Sequence, residues 1–144
     1  MLTSFAAPRG GFSAFRAAGQ ALMDGLLLFA HGARDPAWAR PFDIISARLR
    51  EARPGVPLAM AYLEFMTPDM EAAARELVAA GCTRVHVMPL FLGTGGHVRR
   101  DVPVLLDRLR EQHGAAVEWR LHAPLGEQDA VLNAIAQACL TPLA

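Results

Sequence analysis

The chain has 144 residues, enough for one domain whose core needs no disulfide or metal staple. Its 14 positive residues are all arginine and balance 14 acids, so no net field points to nucleic acid or an anionic membrane surface. With no lysine, a lysine Schiff base and a P-loop lysine are both excluded, and no apolar run reaches the length of a membrane span.

Residues 1–24 read as an N-terminal extension, expected to be flexible. The first 22 residues hold Arg9 and Arg16 but no acid, are rich in Ala, Gly, Ser and Phe, and lack the continuous apolar centre of a secretory signal. Met23 directly precedes "DGLLLFAHG", which suggests an extension upstream of the domain proper. Phe12, Phe15 and Leu22 leave open a loosely docked helix. Residues 25–144 are expected to form the folded domain.

"GLLLFA" (25–30) is a short unbroken apolar run ending at a polar loop, the pattern of a buried strand. Trp38, Phe42, Ile45 and Leu49 then recur on one face of a helix started by Asp35-Pro36 and distorted by Pro41. "PLAMAYLE" (57–64) is a second strand. Thr67-Pro68-Asp69 opens a helix with Met70, Ala74, Leu77 and Val78 inward, closed by Gly81. "TRVHVMPLF" (83–91) is the third strand. Asp101 is expected to cap the next helix, with Pro103 in its first turn and a Val102, Leu105, Leu106, Leu109 stripe. "AVEWRLHA" (116–123) alternates like an edge strand, and Val131, Ile135 and Cys139 align on a closing helix. Cys82 and Cys139 sit in apolar stretches without a CxxC motif, so both are expected to be buried, inert thiols in a reducing cytosol.

Four strand–helix units predict an α/β fold: a single doubly wound domain with a four-stranded parallel sheet of order 2-1-3-4 and helices on both faces. That order has a switch point between strands one and three, where a crevice opens beyond the carboxyl ends. His31 follows strand one, and His97 follows strand three in the loop "PLFLGTGGHVRRDVP". Two histidines converging there are candidates for catalysis or metal binding. Gly93, Gly95 and Gly96, like Gly32 beside His31, remove side chains and let a broad flat ligand approach the backbone. Glu64, ending strand two, is the nearest candidate carboxylate. Arg34, Arg99 and Arg100 at the same mouth suit a ligand with several carboxylates. His86, inside strand three, reads as a satisfied half-buried imidazole. His113 suits a helix C-terminus, and His122 is a weaker candidate at the end of strand four.

At these residues the sequence resembles a family. "LLLFAHGARDP" and "MPLFLGTGGHVRRDVP" are similar to the paired signatures of the small sirohydrochlorin chelatases, class II enzymes that insert cobalt, iron or nickel into a tetrapyrrole. "AYLEFMTPDMEAAARELVAAG" between them fits the same pattern, and the likeness spans about residues 25–140. Ala33 departs from it, where serine often follows His-Gly. The resemblance implies metal-binding and catalytic roles for His31 and His97, an acidic role for Glu64, and tetrapyrrole binding by Arg34, Gly93, Gly95, Gly96, Arg99 and Arg100. It also implies no permanently bound cofactor, no need for ATP, and a divalent ion as substrate. Because longer members join two such domains in one chain, it implies a homodimer here, in the cytoplasm and without nucleic-acid or membrane partners. The product would serve sirohaem, cobalamin or another pathway, which the sequence leaves open.

Two neutral imidazoles, a carboxylate and water suit a transiently held cobalt or iron ion, and are too few for a closed structural site. A non-catalytic metal or tetrapyrrole carrier would use the same residues. A histidine phosphatase would need arginine where Ala30 stands, and a nucleotide-binding module would need a better phosphate loop than "HGARDP".

Overall fold

The computed structural model describes residues 21–143, with His97 described by its backbone; most of the expected extension therefore lies outside the described residues. The elements run β1 (Asp24–Ala30), α1 (Arg40–Ala52), β2 (Leu58–Tyr62), α2 (Met70–Ala79), β3 (Arg84–Pro89), α3 (Gly96–His113), β4 (Glu118–Leu121) and α4 (Asp129–Leu140). The four strands are parallel in the order β2-β1-β3-β4, as the alternation of strands and helices predicts.

β1 is apolar throughout its second half because it has a neighbour on each edge and packing on each face. Leu27 stands level with Ala59 and Val87, and Phe29 with Ala61 and Pro89. Leu27, Phe29, Ala59, Ala61 and Val87 form one core with Met70, Ala73, Ala74 and Leu77 of α2 and Val98, Val102, Leu106 and Leu109 of α3. The Asp69 carboxylate caps α2 by accepting from Ala72 N at 2.8 Å, and Gly81 leaves the helix at φ 93°. Gly25 lets β1 start tight against Cys82: a Cβ there would stand 2.6 Å from its sulfur. Burial pushes the Cys82 thiol up, which keeps it inert as expected.

α1 lies on the opposite face over β2, where Phe42 meets Tyr62 edge-on at 6.1 Å. The predicted four-residue stripe is only half realised. Trp38 and Ile45 are exposed, Phe42 and Leu49 half-buried, and Ser46 is the one buried residue of the helix. Pro41 has no N–H to return to Ala37, so the tighter bond from Arg40 N to Ala37 O closes a separate 3-10 turn, Pro36–Ala39, before α1 begins. Trp38 belongs to that turn, with its ring 6.2 Å from that of Phe42.

The β3–β4 half of this second face carries a polar chain. Arg84 pairs with Asp24 across the sheet, and its Nη2 donates to Asp24 Oδ2 at 2.7 Å. The Arg84 hydrogen bond leads the causes that hold the Asp24 carboxyl down at about 2. Facing an ionised carboxylate at 3.2 Å, His86 Nε2 donates, so its Nδ1 accepts from His122 Nε2 at 2.8 Å. His86 is thus the satisfied imidazole the sequence suggests. His122 turns onto the sheet to meet it.

α4 corrects a second expectation. None of its residues is buried: Val131 is half-covered, Ile135 is exposed, and Cys139 is a free exposed thiol where a buried one was expected. The helix packs mainly on the short turns that flank it, not on the sheet. Its apolar composition is the reason periodicity placed it in the core. Among the described residues no helix is long and apolar enough to cross a membrane.

Candidate functional site

The strand order brings three loops to one rim. Leu63 N donates to Ala30 O at 2.9 Å and Leu90 N to Phe29 O at 2.7 Å, so the chains leaving β2 and β3 are both stitched to the last carbonyls of β1. Between them, His31 emerges half-buried with its ring 4.6 Å from that of Phe91. Its carbonyl accepts from Trp38 Nε1 at 2.8 Å, which fixes the loop from the far side.

Gly32 and Glu64 meet backbone to backbone. A Cβ on Gly32 would overlap the Glu64 carbonyl oxygen and press on Met66 N, so only glycine fits. The Glu64 side chain is exposed. Phe65 follows with φ 61°, and Met66 N donates to Glu64 O across it at 2.7 Å. The Arg34 guanidinium stands 5.0 Å from the Phe65 ring centroid.

The β3–α3 connection differs from the expected loop. Gly95, extended and without a capping side chain, is the N-cap, and α3 already begins at Gly96. His97 is therefore in the first helical turn, followed by Arg99 and Arg100, rather than in a free loop. Asp101, expected as the cap, is the sixth residue of the helix, and Pro103 falls in its interior rather than its first turn. Val98 and Val102, one turn apart and both buried, anchor this early start to the core. The glycine run concealed it. A Cβ on Gly93, Gly95 or Gly96 would meet nothing within 4 Å, so packing inside the chain does not demand these glycines; they leave the mouth open.

The arginines are exposed and lightly tethered. Arg99 Nε donates to Thr94 Oγ1 at 3.2 Å, and Arg100 Nε to Gly96 O at 3.3 Å. Pro89, Phe91, Thr94, Arg99, His122 and Pro124 line a groove beside the helix start. Gly126 is tied to the chain after β3: its N donates to Phe91 O at 2.9 Å, and a Cβ there would overlap the Leu92 carbonyl. Among the described residues no cluster of three or more His, Cys, Asp or Glu is arranged to hold a metal ion.

The structure thus brings His31, Glu64, Arg34 and the start of α3 to one rim, while His122, bonded to His86, lines the groove beside it. Trp38, Phe65, Phe91 and Gly126 shape the rim and were not singled out from the sequence. Only Phe91 carried a signal, as part of the "PLF" motif.

Comparison with known proteins identifies the family. The CbiX family model matches residues 25–140. A sirohydrochlorin cobaltochelatase of Saccharolobus islandicus (strain L.S.2.15) is 31% identical over 120 residues, covering 72% of this chain and 84% of the relative. That of Saccharolobus solfataricus is 32% identical over 109 residues, with the same coverage. The crystal structure of a protein described as a cobalamin (vitamin B12) biosynthesis CbiX protein, from Marinobacter aquaeolei VT8, superposes with TM-score 0.74 at 31% identity, covering 83% of this chain and 97% of that one. The sirohydrochlorin chelatase SirB of Bacillus subtilis subspecies spizizenii, solved with cobalt, shares the fold at TM-score 0.66 and 22% identity; the match takes in 81% of this chain and 49% of SirB. With the family model matching nearly all of the folded part, this chain belongs to the CbiX family.

Proposed function

We propose that the protein inserts a divalent metal ion, cobalt, iron or nickel, into sirohydrochlorin or a related carboxylated tetrapyrrole. The observation that carries this reading is the convergence, at the strand-order switch point, of His31, Glu64 and the first turn of α3 with His97. His31 and His97 hold the incoming ion through neutral imidazole nitrogens, few enough to release it again. Each insertion expels the two pyrrole N–H protons as the ion exchanges its imidazole ligands for the four ring nitrogens, so charge is conserved and the imidazoles are freed. An imidazole near neutral pH, or the exposed Glu64 carboxylate, takes them up. Arg34, Arg99 and Arg100 pair with peripheral carboxylates, and Gly93, Gly95 and Gly96 leave room for the flat ring to approach.

One copy supplies one wall of such a cleft, and a homodimer supplies the second. The uncovered α4, with Leu132, Ile135 and Leu140 exposed, supports a further packing partner. So does SirB, whose chain is about twice as long as the part this domain matches. The test is a panel of metal ions with sirohydrochlorin, followed by absorption. Protein-dependent metallation with turnover supports the chelatase. Binding without metallation marks a carrier instead.

A further inference from the structure

Phe65 sits in the most costly backbone conformation of the rim, and the chain itself gains little from it. Among the described residues it is the one non-glycine with positive φ, at 61°. The Met66 N to Glu64 O hydrogen bond, 2.7 Å, spans two residues around it, which makes the turn a γ-turn of the rarer, strained hand. Glycine takes this region without penalty, whereas a bulky side chain does not. The turn does not serve to bury the ring: Phe65 is 62% exposed. Its one ring contact, the Arg34 guanidinium at 5.0 Å, is a modest attraction at an exposed site. Leu92, 67% exposed, projects from the loop after β3, so apolar side chains rise from both strands that flank β1 and His31. Strain kept at a binding rim without internal compensation points to a ligand.

We propose that Phe65 is a substrate-positioning residue: its ring is a platform for the flat face of the tetrapyrrole, and the Arg34 guanidinium behind it takes a carboxylate at the macrocycle's edge. The pair together recognises a ligand that is planar and apolar on its face but anionic at its rim. An aromatic platform supplies contact area and favours offset stacking, and arginine supplies the fork for the carboxylate. This proposal rests on the chelatase reading and adds the determinant of how the ring is seated over His31.

The test compares Phe65→Ala, Phe65→Trp, Phe65→Gly and Arg34→Ala in the full chain. Sirohydrochlorin binding is measured without metal by fluorescence, and metallation kinetics and melting temperature are measured alongside. Phe65→Ala is expected to raise Kd and KM by about tenfold and leave kcat within about twofold, the signature of lost binding rather than lost chemistry. Phe65→Trp restores both. Phe65→Gly loses binding in the same way yet keeps or raises the melting temperature, because the left-handed turn no longer strains the backbone. Arg34→Ala raises KM and weakens its dependence on salt. Unchanged Kd and KM in Phe65→Ala, or a Phe65→Gly protein that melts lower, overturns the assignment while the chelatase reading stands. A wild-type protein that neither binds nor metallates sirohydrochlorin overturns the chelatase reading itself.

Discussion

His31 is held at three points: the strand behind it, the Phe91 ring beneath it and the Trp38 indole on its carbonyl. In the proposed reaction a ligand for a transient ion would gain from such support, because its position does not have to be found anew at each turnover. Replacing His31 or His97 by alanine is expected to lower the initial rate of cobalt insertion by ~100-fold, the scale of a lost acid–base or ligand group. Near-normal rates in either variant would remove that residue from the mechanism. Gly32→Ala tests the seam beneath them. Its Cβ must push against the Glu64 carbonyl, which is backbone and cannot rotate away. Loss of about 1–3 kcal/mol in denaturant unfolding is expected, as for overpacked sites, with activity falling further than stability. At this scale His31, Glu64 and the glycines were legible because each stands at an abrupt end of an apolar run. Phe65 was not. Its positive φ falls on a bulky residue that does not favour it, so nothing in the local sequence announces the turn.

Among the elements, the strands and α2 follow their sequence patterns closely, and α3, α1 and α4 do not. The "GLLLFA" run could only be a central strand, and Asp69 and Gly81 bracket α2 by local chemistry. The start of α3 hides behind glycines because buried Val98 and Val102, not a capping side chain, decide it. The β1–β3 edge yields a pH test. Asp24 is depressed from its ordinary 3.8 to about 2, chiefly by the Arg84 hydrogen bond. A depressed carboxyl stabilises the fold fully above its unfolded value and loses that contribution as pH falls through its folded one. Acid titration of unfolding should therefore show the wild type losing its advantage over Asp24→Asn between about pH 4 and pH 2. A constant difference across that window would mean that the pair contributes nothing in solution.

For the molecule as a whole, the core lies almost entirely between the sheet and the α2–α3 layer. The other face is covered by α1 over β2, while α4 stays uncovered. Composition alone marks α4 as a core helix, yet none of its residues is buried within one copy, and the proposed homodimer would cover it. Ile135→Glu is therefore expected to shift the mass in solution from dimer to monomer and to reduce metal insertion at least ~10-fold, since one charge in an apolar interface costs several kcal/mol. A monomeric wild type with full activity would refute the two-copy cleft.

The Trp38 indole, bonded to the His31 carbonyl, also gives the protein a built-in optical reporter. The chain's other tryptophan, Trp119, is buried in β4, two strands away from β1. A paramagnetic ion arriving at His31 should quench the emission of Trp38 far more than that of Trp119. Loading of the site can then be timed before any colour change in the pigment, and the signal should vanish in Trp38→Phe.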